Sequence, residues 1–233
     1  MQVADIFATS LQYTGTYYNS IDPAATNMQM KTQLQTLVSV KTVITYDEAW
    51  AAFAQVDKHL EGYPCSSDLT MIPDIYSDNC WHTYKVTPGG ECGNYAKEGD
   101  CYNREHSWPK SWFGGFSAGQ GAETDLFELY PSDGYVNGLR GNLPFCDVDP
   151  SRVTYQSTNG SRIGYCNSTE YTGKGFEVAD YLKGDLARSY FYLSVAYMND
   201  WSCCDEPGTS MWNIKTWMET VLRNWHAGDP VSD

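Results

Sequence analysis

A carboxylate and an imidazole stand side by side at Glu105 and His106, within the stretch CYNREHSWPKSWFGG that runs from Cys101 to Gly115. A neutral imidazole with a pKa of about 6.5 suits the activation of water near neutral pH. A carboxylate oxygen, joined by an amide oxygen, suits a hard divalent cation that keeps most of its waters. On its own such a dipeptide is more often a structural pair, so the elements around it decide its meaning.

The segment around this pair predicts the order strand, strand, helix. A first short strand ends at Pro109, and a short apolar run with Leu126 and Leu129 begins a second one. The sequence PSDG at 131–134 predicts a turn or a helix start, and a short helix over 135–141 can follow. This order is compact enough to place a side chain of the helix beside those of the first strand.

That arrangement would bring Glu105, His106 and Asn137 around one point. Adjacent residues of a regular strand point to opposite faces, so Glu105 and His106 can share a site only where the strand twists strongly or ends. Pro109 favours an ending close behind His106.

The rest of the chain predicts an α+β fold. Helical patterns occur over 24–40, over about 184–198, and in a stripe from Ile214 to Trp225 that Gly228 and Pro230 end. The sequence TYDE at 45–48 predicts a capping box that starts another helix. We find no internal repeat and no low-complexity linker, so a single domain over 1–233 is expected.

Eight cysteines, none in a Cys-x-x-Cys pair, argue against a structural zinc site and favour disulfides in an exported protein. We predict two local bridges, Cys92–Cys101 and Cys146–Cys166. The pairing of the other four stays open: Cys65, Cys80, Cys203 and Cys204. The two adjacent ones of that set, Cys203 and Cys204, are expected to reach separate partners.

The charge balance restricts the kind of surface with which the protein could bind a substrate. There are 29 acidic and 15 basic residues, for a formal net charge of -14. This argues against a simple basic surface for nucleic acid, so a polyanionic substrate would need a local positive site, a metal ion or screening. No apolar run approaches the ~18 residues of a membrane span, and no secretory signal is visible. An exported protein of this sequence is therefore expected to be a mature form.

Two long motifs carry a resemblance to a known family. The segments GDCYNREHSWPKSWFGG and DLFELYPSDGYVNGLRGNLPF resemble the endonuclease I family of secreted bacterial nucleases, within the ββα-metal or His-Me finger group. The likeness extends to DIYSDNC, KGDLARSYFYLSVAYM and LRNWHAGDPVSD, and so covers nearly the whole chain. It implies a ββα-metal core over about 101–142, packed among flanking helices and stabilised by disulfides.

The resemblance also implies an activity. It is the metal-dependent hydrolysis of phosphodiester bonds in DNA and RNA, with little sequence preference. His106 would be the general base, and Glu105 and Asn137 would hold one Mg²⁺, for which Mn²⁺ or Ca²⁺ can substitute. A backbone carbonyl of the neighbouring strand, near Glu123, would accept a hydrogen bond from the imidazole Nδ1. The protein would be a secreted or periplasmic monomer.

The residue that grips the phosphate is left open by the sequence. Arg140, as a catalytic residue, and Lys110 are the two candidates, although Arg140 could instead pair with an acid. Arg104 is expected either to contact phosphate or to brace a loop. Asn142 is expected to bind substrate or to cap the C-terminal end of the short helix.

Three departures from the family support an alternative reading. Phe127-Glu128 replaces a His or Asn pair and would add negative charge near a phosphate site. Residues 107–136 contain no arginine, and relatives continue past DPVS with a basic tail. The alternative is a catalytically decayed, nuclease-like binding or structural protein. Against it stands the presence of Glu105, His106 and Asn137 together.

Overall fold

The computed structural model describes residues 15–57, 68, 70–82, 92, 94–114 and 121–231. In these ranges the fold is α+β, with helices around small antiparallel sheets. The helices are α1 (Asn27–Val38), α2 (Glu48–Val56), α3 (Gly134–Arg140), α4 (Lys183–Ala196) and α5 (Thr216–Gly228). The strands are β1 (Met71–Pro73), β2 (Cys80–His82), β3 (Tyr102–His106), β4 (Leu129–Asp133), β5 (Val148–Gln156), β6 (Arg162–Cys166), β7 (Lys174–Glu177), β8 (Thr209–Ser210) and β9 (Asn213–Ile214).

The predicted capping box at the start of α2 is confirmed. The Thr45 backbone N–H donates to Glu48 Oε2 at 2.7 Å, and the Glu48 N–H donates to Thr45 Oγ1 at 3.3 Å. Two of the donors that a helix start leaves unpaired are thereby satisfied. The helix then buries Trp50 and Phe53 on one face.

The predicted strand, strand, helix order is present as β3, β4 and α3. β3 and β4 pair antiparallel, with His106 opposite Leu129 and Arg104 opposite Pro131. β3 ends at His106, as the proximity of a proline predicted. Residues 131–133 continue β4 and form no turn, whereas the alternative prediction of a helix start is confirmed, because α3 begins at Gly134. Pro131 is tolerated there because the ladder needs no N–H from it, and its carbonyl accepts from the Ile75 N–H at 3.2 Å.

α3 begins against the predicted Cys92–Cys101 disulfide. The side chain of Asp133 caps the helix by accepting from the Val136 N–H at 3.0 Å. A Cβ on Gly134 would lie 2.1 Å from Cys92 Sγ, so only glycine allows the helix to start this close to the bridge. The disulfide and the cap together fix where the short helix stands relative to β3.

The β3–β4 pair lies between two hydrophobic clusters. Tyr102 and Leu129 belong to a smaller cluster with Trp50 and Phe53 of α2. The opposite face packs towards the main core, where the Tyr190 hydroxyl of α4 donates to the Ser107 carbonyl at 2.9 Å. Alternate residues of β3 therefore meet different layers of the protein.

The main core is built from α4, α5 and the sheet ordered β5-β6-β7. Trp108 and Trp112 are fully buried within it. The predicted Cys146–Cys166 bridge packs on β7, where a Cβ on Gly175 would lie 2.3 Å and 2.4 Å from the two sulfur atoms. Among the described residues, no helix is long and apolar enough to cross a membrane.

One disulfide prediction is wrong. Cys203 and Cys204 pair with each other across a cis peptide bond, with their Cα atoms 3.3 Å apart. The expectation of separate partners assumed the usual trans peptide, which holds neighbouring Cα atoms about 3.8 Å apart. Cys80 is also disulfide-bonded, and Cys65 lies outside the described residues.

The bridge between Cys146 and Cys166 should contribute strongly to stability, because it closes a 20-residue separation in the sheet region. We expect the double variant C146S/C166S to lose about 3 kcal/mol of unfolding free energy, since the unfolded chain regains the entropy of an open loop. Denaturant unfolding of the oxidised protein measures this. An unchanged free energy of unfolding would show that closing this loop does not stabilise the protein.

Candidate active site

The end of β3 and the start of its following loop line a cavity of about 230 Å³ together with α3. Its lining residues are Arg104, Glu105, His106, Pro109, Lys110, Ser111, Asn137, Gly141 and Asn142. Six of the seven site residues singled out from the sequence are among them. The seventh, Arg140, is not.

The cavity forms where β3 has no strand partner on its second edge. Among the described strands, β3 pairs with β4 alone. At the other edge the Arg104 carbonyl accepts from Asn137 Nδ2 at 3.0 Å, and the His106 carbonyl accepts from Arg140 Nη1 at 2.9 Å. Two side chains of α3 thus satisfy carbonyls that a third strand would otherwise pair.

These hydrogen bonds also orient the amide of Asn137. Its Nδ2 donates both to the Arg104 carbonyl and to Ser132 Oγ, the latter at 3.2 Å. An amide whose nitrogen is fixed in this way presents its oxygen on the other side. Because Asn137 lines the cavity, Oδ1 is the atom available there.

Glu105 is held on the opposite face of β3 from its neighbours. The residue is 2 % exposed, and its Oε1 accepts from the Tyr76 hydroxyl and from Arg140 Nη1, each at 2.6 Å. No hydrogen bond within the described ranges reaches Oε2. Burial raises the pKa of Glu105 to about 6, while Arg140 and Tyr76 favour the ionised form, so the carboxylate is charged at neutral pH.

Arg140 does not contact the cavity, which disagrees with the expectation that it grips phosphate. Its side chain is 1 % exposed, and its guanidinium donates to Glu105 Oε1, to the His106 carbonyl and, at 2.7 Å, to the Ser107 carbonyl. It stands one helical turn after Asn137 and faces the core side of β3. The alternative left open by the sequence, that Arg140 pairs with an acid, is the one observed.

The imidazole of His106 is fixed by the predicted carbonyl, but through the other nitrogen. His106 Nε2 lies 3.1 Å from the Glu123 carbonyl oxygen, whereas Nδ1 was expected to make this bond. Glu123 also belongs to a short 3-10 helix, Ala122–Thr124, and not to the neighbouring strand. A carbonyl accepts only, so Nε2 carries the proton and Nδ1 of the neutral ring keeps its lone pair.

The surroundings of His106 favour the neutral ring. Burial, together with the charges of Lys110, Arg104 and Arg140, lowers the pKa of His106 to about 3. The hydrogen bond to Glu123 acts in the opposite direction. A neutral imidazole is the form that can accept a proton.

Arg104 is held between aromatic rings at the rim of this cavity. Its Cζ lies 3.4 Å from the centroid of the Tyr46 ring and 4.5 Å from that of Trp50. Its Nη1 donates to the Tyr46 carbonyl at 2.6 Å. Lys110 and the exposed Asn142 complete the polar lining of the cavity.

Glu128 does not add negative charge to the cavity, contrary to the sequence-based expectation. It is fully buried, and its Oε2 accepts from Ser107 Oγ and the Trp108 N–H, both at 2.9 Å. Burial raises the pKa of Glu128 well above its usual range, and nearby Glu105 acts in the same direction. Glu128 therefore braces the chain after β3 from the core side.

The remaining oxygens fit a hard divalent cation. Glu105 Oε2 and Asn137 Oδ1 are an anionic and a neutral oxygen, and both residues line one cavity. Within the described ranges no group of three or more His, Cys, Asp or Glu side chains is arranged to hold a metal. A site with two protein oxygens differs from such a group, because it leaves most coordination positions of the ion to water, as Mg²⁺ prefers.

Two aromatic residues of the site were missed by sequence reasoning. Tyr76 binds the carboxylate of Glu105, and Tyr46 stacks on Arg104. The motif DIYSDNC contains Tyr76, so the resemblance marked its position without giving it a role. For Tyr46 no signal was available beyond its place inside the capping box of α2.

Comparison with known proteins identifies the class of this protein. A family model described as Endonuclease I matches residues 26–233, and the chain belongs to this family. It is 30% identical to an extracellular ribonuclease of Bacillus subtilis over 94% of this chain and 68% of that protein. An extracellular ribonuclease of Bacillus amyloliquefaciens is 27% identical over 99% of this chain and 71% of its own length.

A shorter match links the chain to a third relative, the Endonuclease-1 of Buchnera aphidicola. There the identity is 33% over 41% of this chain and 37% of the relative. The family and the names of these relatives support a hydrolytic nuclease.

Replacing Arg140 should leave a buried carboxylate without its main counter-charge. We expect Arg140→Met to lose about 3–5 kcal/mol of unfolding free energy, measured by urea denaturation. The matched control is Arg162→Met, whose ion pair with Glu177 is partly exposed and which should cost about 1 kcal/mol or less. Adding Glu105→Leu to Arg140→Met should restore part of the loss. Equal losses for the two arginines would contradict a special role for the buried pair.

Glu128→Gln should change how stability depends on pH. A raised pKa means that folded Glu128 keeps a proton that the unfolded chain releases above a pH of about 4.3. Stability of the native protein therefore falls as the pH rises through this window, whereas glutamine has no proton to lose. We expect Glu128→Gln to gain stability relative to the native protein as the pH rises above about 4.3, measured by thermal melts. If the melting temperatures of the two proteins changed in parallel with pH, this expectation would be wrong.

Proposed function

We propose that this protein is a metal-dependent endonuclease that hydrolyses phosphodiester bonds of DNA and RNA with little sequence preference. The observation that carries the proposal is the state of His106. Its Nε2 is engaged by the Glu123 carbonyl, so a neutral ring directs a basic Nδ1 away from that bond, at a cavity shared with Glu105 and Asn137. β3, β4 and α3 would form the ββα-metal core of a single domain.

His106 is the general base in this proposal. Its Nδ1 takes the proton of a water molecule that attacks the phosphorus atom, and the Glu123 carbonyl stabilises the imidazolium that results. As the new P–O bond forms, the bond from phosphorus to the 3′-oxygen breaks, and the leaving 3′-oxygen takes a proton from water. The nearby positive charges of Lys110 and Arg104 oppose protonation of the resting ring. The ring is therefore neutral, with the proton on Nε2, before substrate arrives.

Glu105 and Asn137 would hold one Mg²⁺, or Mn²⁺ or Ca²⁺ in its place, through Oε2 and Oδ1. When bound, the ion supplies positive charge where the transition state gathers negative charge on oxygen. The role of the protein is to keep the two ligands in place. Tyr76 and Arg140 fix one carboxylate oxygen of Glu105, and Ser132 and the Arg104 carbonyl fix the amide of Asn137.

Arg104, Lys110 and Asn142 would bind the substrate. They place two positive charges and an amide on the cavity of a chain whose formal net charge is -14. A phosphodiester would meet local positive charge there, although the protein as a whole repels nucleic acid. Since Arg140 is engaged in the interior, Lys110 and Arg104 are the better candidates for the phosphate.

The relatives bear on substrate and location. Two of them are named extracellular ribonucleases, which supports RNA as a substrate and export of this chain. Three disulfides between described cysteines agree with an oxidising compartment. We therefore propose a secreted or periplasmic enzyme.

The alternative of a decayed, nuclease-like binding protein loses one of its arguments. It relied in part on a negative charge from Glu128 near the phosphate site, and Glu128 is buried on the core side of β3. A calorimetric titration with Mg²⁺ or Mn²⁺ distinguishes the two functions. A decayed site should bind neither ion, and an intact site should lose its binding in Glu105→Gln.

Removal of the base should abolish turnover while leaving the fold intact. We expect His106→Ala to lower kcat on supercoiled plasmid and on RNA by about 10²–10⁴-fold, and EDTA to stop cleavage by the native protein. The matched control is His226→Ala, because His226 contacts Arg188 on α4 and does not line the cavity.

His226→Ala should cleave both substrates at the native rate. If His106→Ala did the same, His106 would not be the base. If the native protein cleaved neither substrate with Mg²⁺ present, the proposed activity itself would be wrong.

A further inference from the structure

Tyr46 lies two residues before α2 and stacks on two of the residues that line the cavity. Its ring covers the Arg104 guanidinium at 3.4 Å, and its carbonyl accepts from Arg104 Nη1 at 2.6 Å. The ring also lies parallel to the His106 imidazole, with an interplanar angle of 16° and centroids 6.0 Å apart. One residue outside the β3–β4 pair thus contacts the cation and flanks the base.

The alternation of β3 explains how a single ring reaches both side chains. Arg104 and His106 are two residues apart on a strand, so they lie on the same face. Glu105 lies on the other face and is held there by Arg140. The two halves of the site therefore rest on different layers, one built by α2 and one by α3.

The position of Tyr46 is fixed by the start of its helix. The capping box of Thr45 and Glu48 encloses it in sequence, and Trp50, one turn further on, is fully buried. Tyr46 itself is half-buried against the smaller hydrophobic cluster. Its ring is consequently held by the fold before any substrate is present.

We propose that Tyr46 is a positioning residue that holds the Arg104 guanidinium ready for a substrate phosphate. The inference rests on the proposed function, in which Arg104 binds phosphate. Tyr46 and Trp50 hold the planar group by stacking, and the Tyr46 carbonyl fixes its rotation. A cation fixed in this way needs no reorganisation when the phosphate binds.

The chemistry of the contact requires a planar cation against an aromatic ring. A guanidinium stacks on an aromatic face and still has further N–H donors at its edge, whereas a lysine ammonium is a point charge that cannot do both. Arg104→Lys is therefore expected to be a damaging replacement.

The test uses Tyr46→Leu and Tyr46→Phe, with Tyr171→Leu as the matched control. Tyr171 is also half-buried and stacked, on Trp217 at 4.8 Å, but does not line the cavity. We expect Tyr46→Leu to lower kcat/KM for RNA and plasmid about 10-fold, mostly through a higher KM. The reason is that Arg104, which binds the phosphate in this proposal, loses its cation–π contact. Tyr46→Phe should remain within about 3-fold of the native protein, since the ring is kept. Tyr171→Leu should melt at a lower temperature but keep native kinetics.

A double-mutant cycle with Arg104→Met separates positioning from a merely structural role. If Tyr46 acts through Arg104, Tyr46→Leu should have little further effect in the Arg104→Met background. Equal effects of Tyr46→Leu in both backgrounds, or native kinetics for Tyr46→Leu, would overturn the proposal.

Binding measured without hydrolysis keeps this test separate from the proposed activity. Fluorescence anisotropy of a labelled single-stranded oligonucleotide in EDTA should show weaker binding by Tyr46→Leu and native binding by Tyr46→Phe and Tyr171→Leu. If the native protein bound the oligonucleotide but never cleaved it with Mg²⁺, the activity would be wrong while the positioning role stood. If it cleaved normally and Tyr46→Leu bound as tightly as the native protein, the positioning role would be wrong.

Discussion

The candidate site depends on the unpaired edge of β3. A strand edge leaves carbonyl groups without partners, and on this edge side chains of α3 supply the partners of two carbonyls. Asn137 and Arg140, one helical turn apart, bind the carbonyls of Arg104 and His106. The helix is thereby held against the strand in a fixed register, which brings an amide oxygen of α3 and a carboxylate of β3 to the same cavity.

The burial of the charged pair of Arg140 and Glu105 costs free energy of folding. Taking two charges out of water is unfavourable, and the attraction between them compensates only when the remaining donors and acceptors are also satisfied. Tyr76 and the carbonyls of His106 and Ser107 meet most of that demand. Such a network makes the position of Glu105 sharply defined, because any movement breaks several hydrogen bonds together.

The acidity of the chain is compatible with a nucleic-acid substrate when charge is considered locally. The cavity itself is lined by Arg104 and Lys110, while Glu128, which the sequence placed near the phosphate, is turned into the core. What a substrate would meet is therefore decided by a few side chains and, in the proposed function, by the ion that Glu105 and Asn137 would hold. The net charge of -14 governs long-range approach and its dependence on salt.

Much of this protein was determined by the sequence itself. The capping box at 45–48, the long C-terminal helices and the two local disulfides follow from short-range patterns, because each depends on residues close together in the chain. The grouping of Glu105, His106 and Asn137 also came from the sequence, through the strand, strand, helix order and the family motifs. Whether Cys203 and Cys204 would pair with each other could not be read in this way, since it depends on a local backbone geometry that the residue types do not specify.

Only the tertiary structure decided the direction in which each side chain points. It placed Arg140 inside with Glu105, turned Glu128 to the core, and joined His106 to Glu123 through Nε2 rather than Nδ1. It also brought Tyr76 and Tyr46, which lie 29 and 58 residues before Glu105 and Arg104, into contact with them. Residue types fix which bonds a side chain can make, but the choice among partners depends on which groups folding has already buried and left unsatisfied.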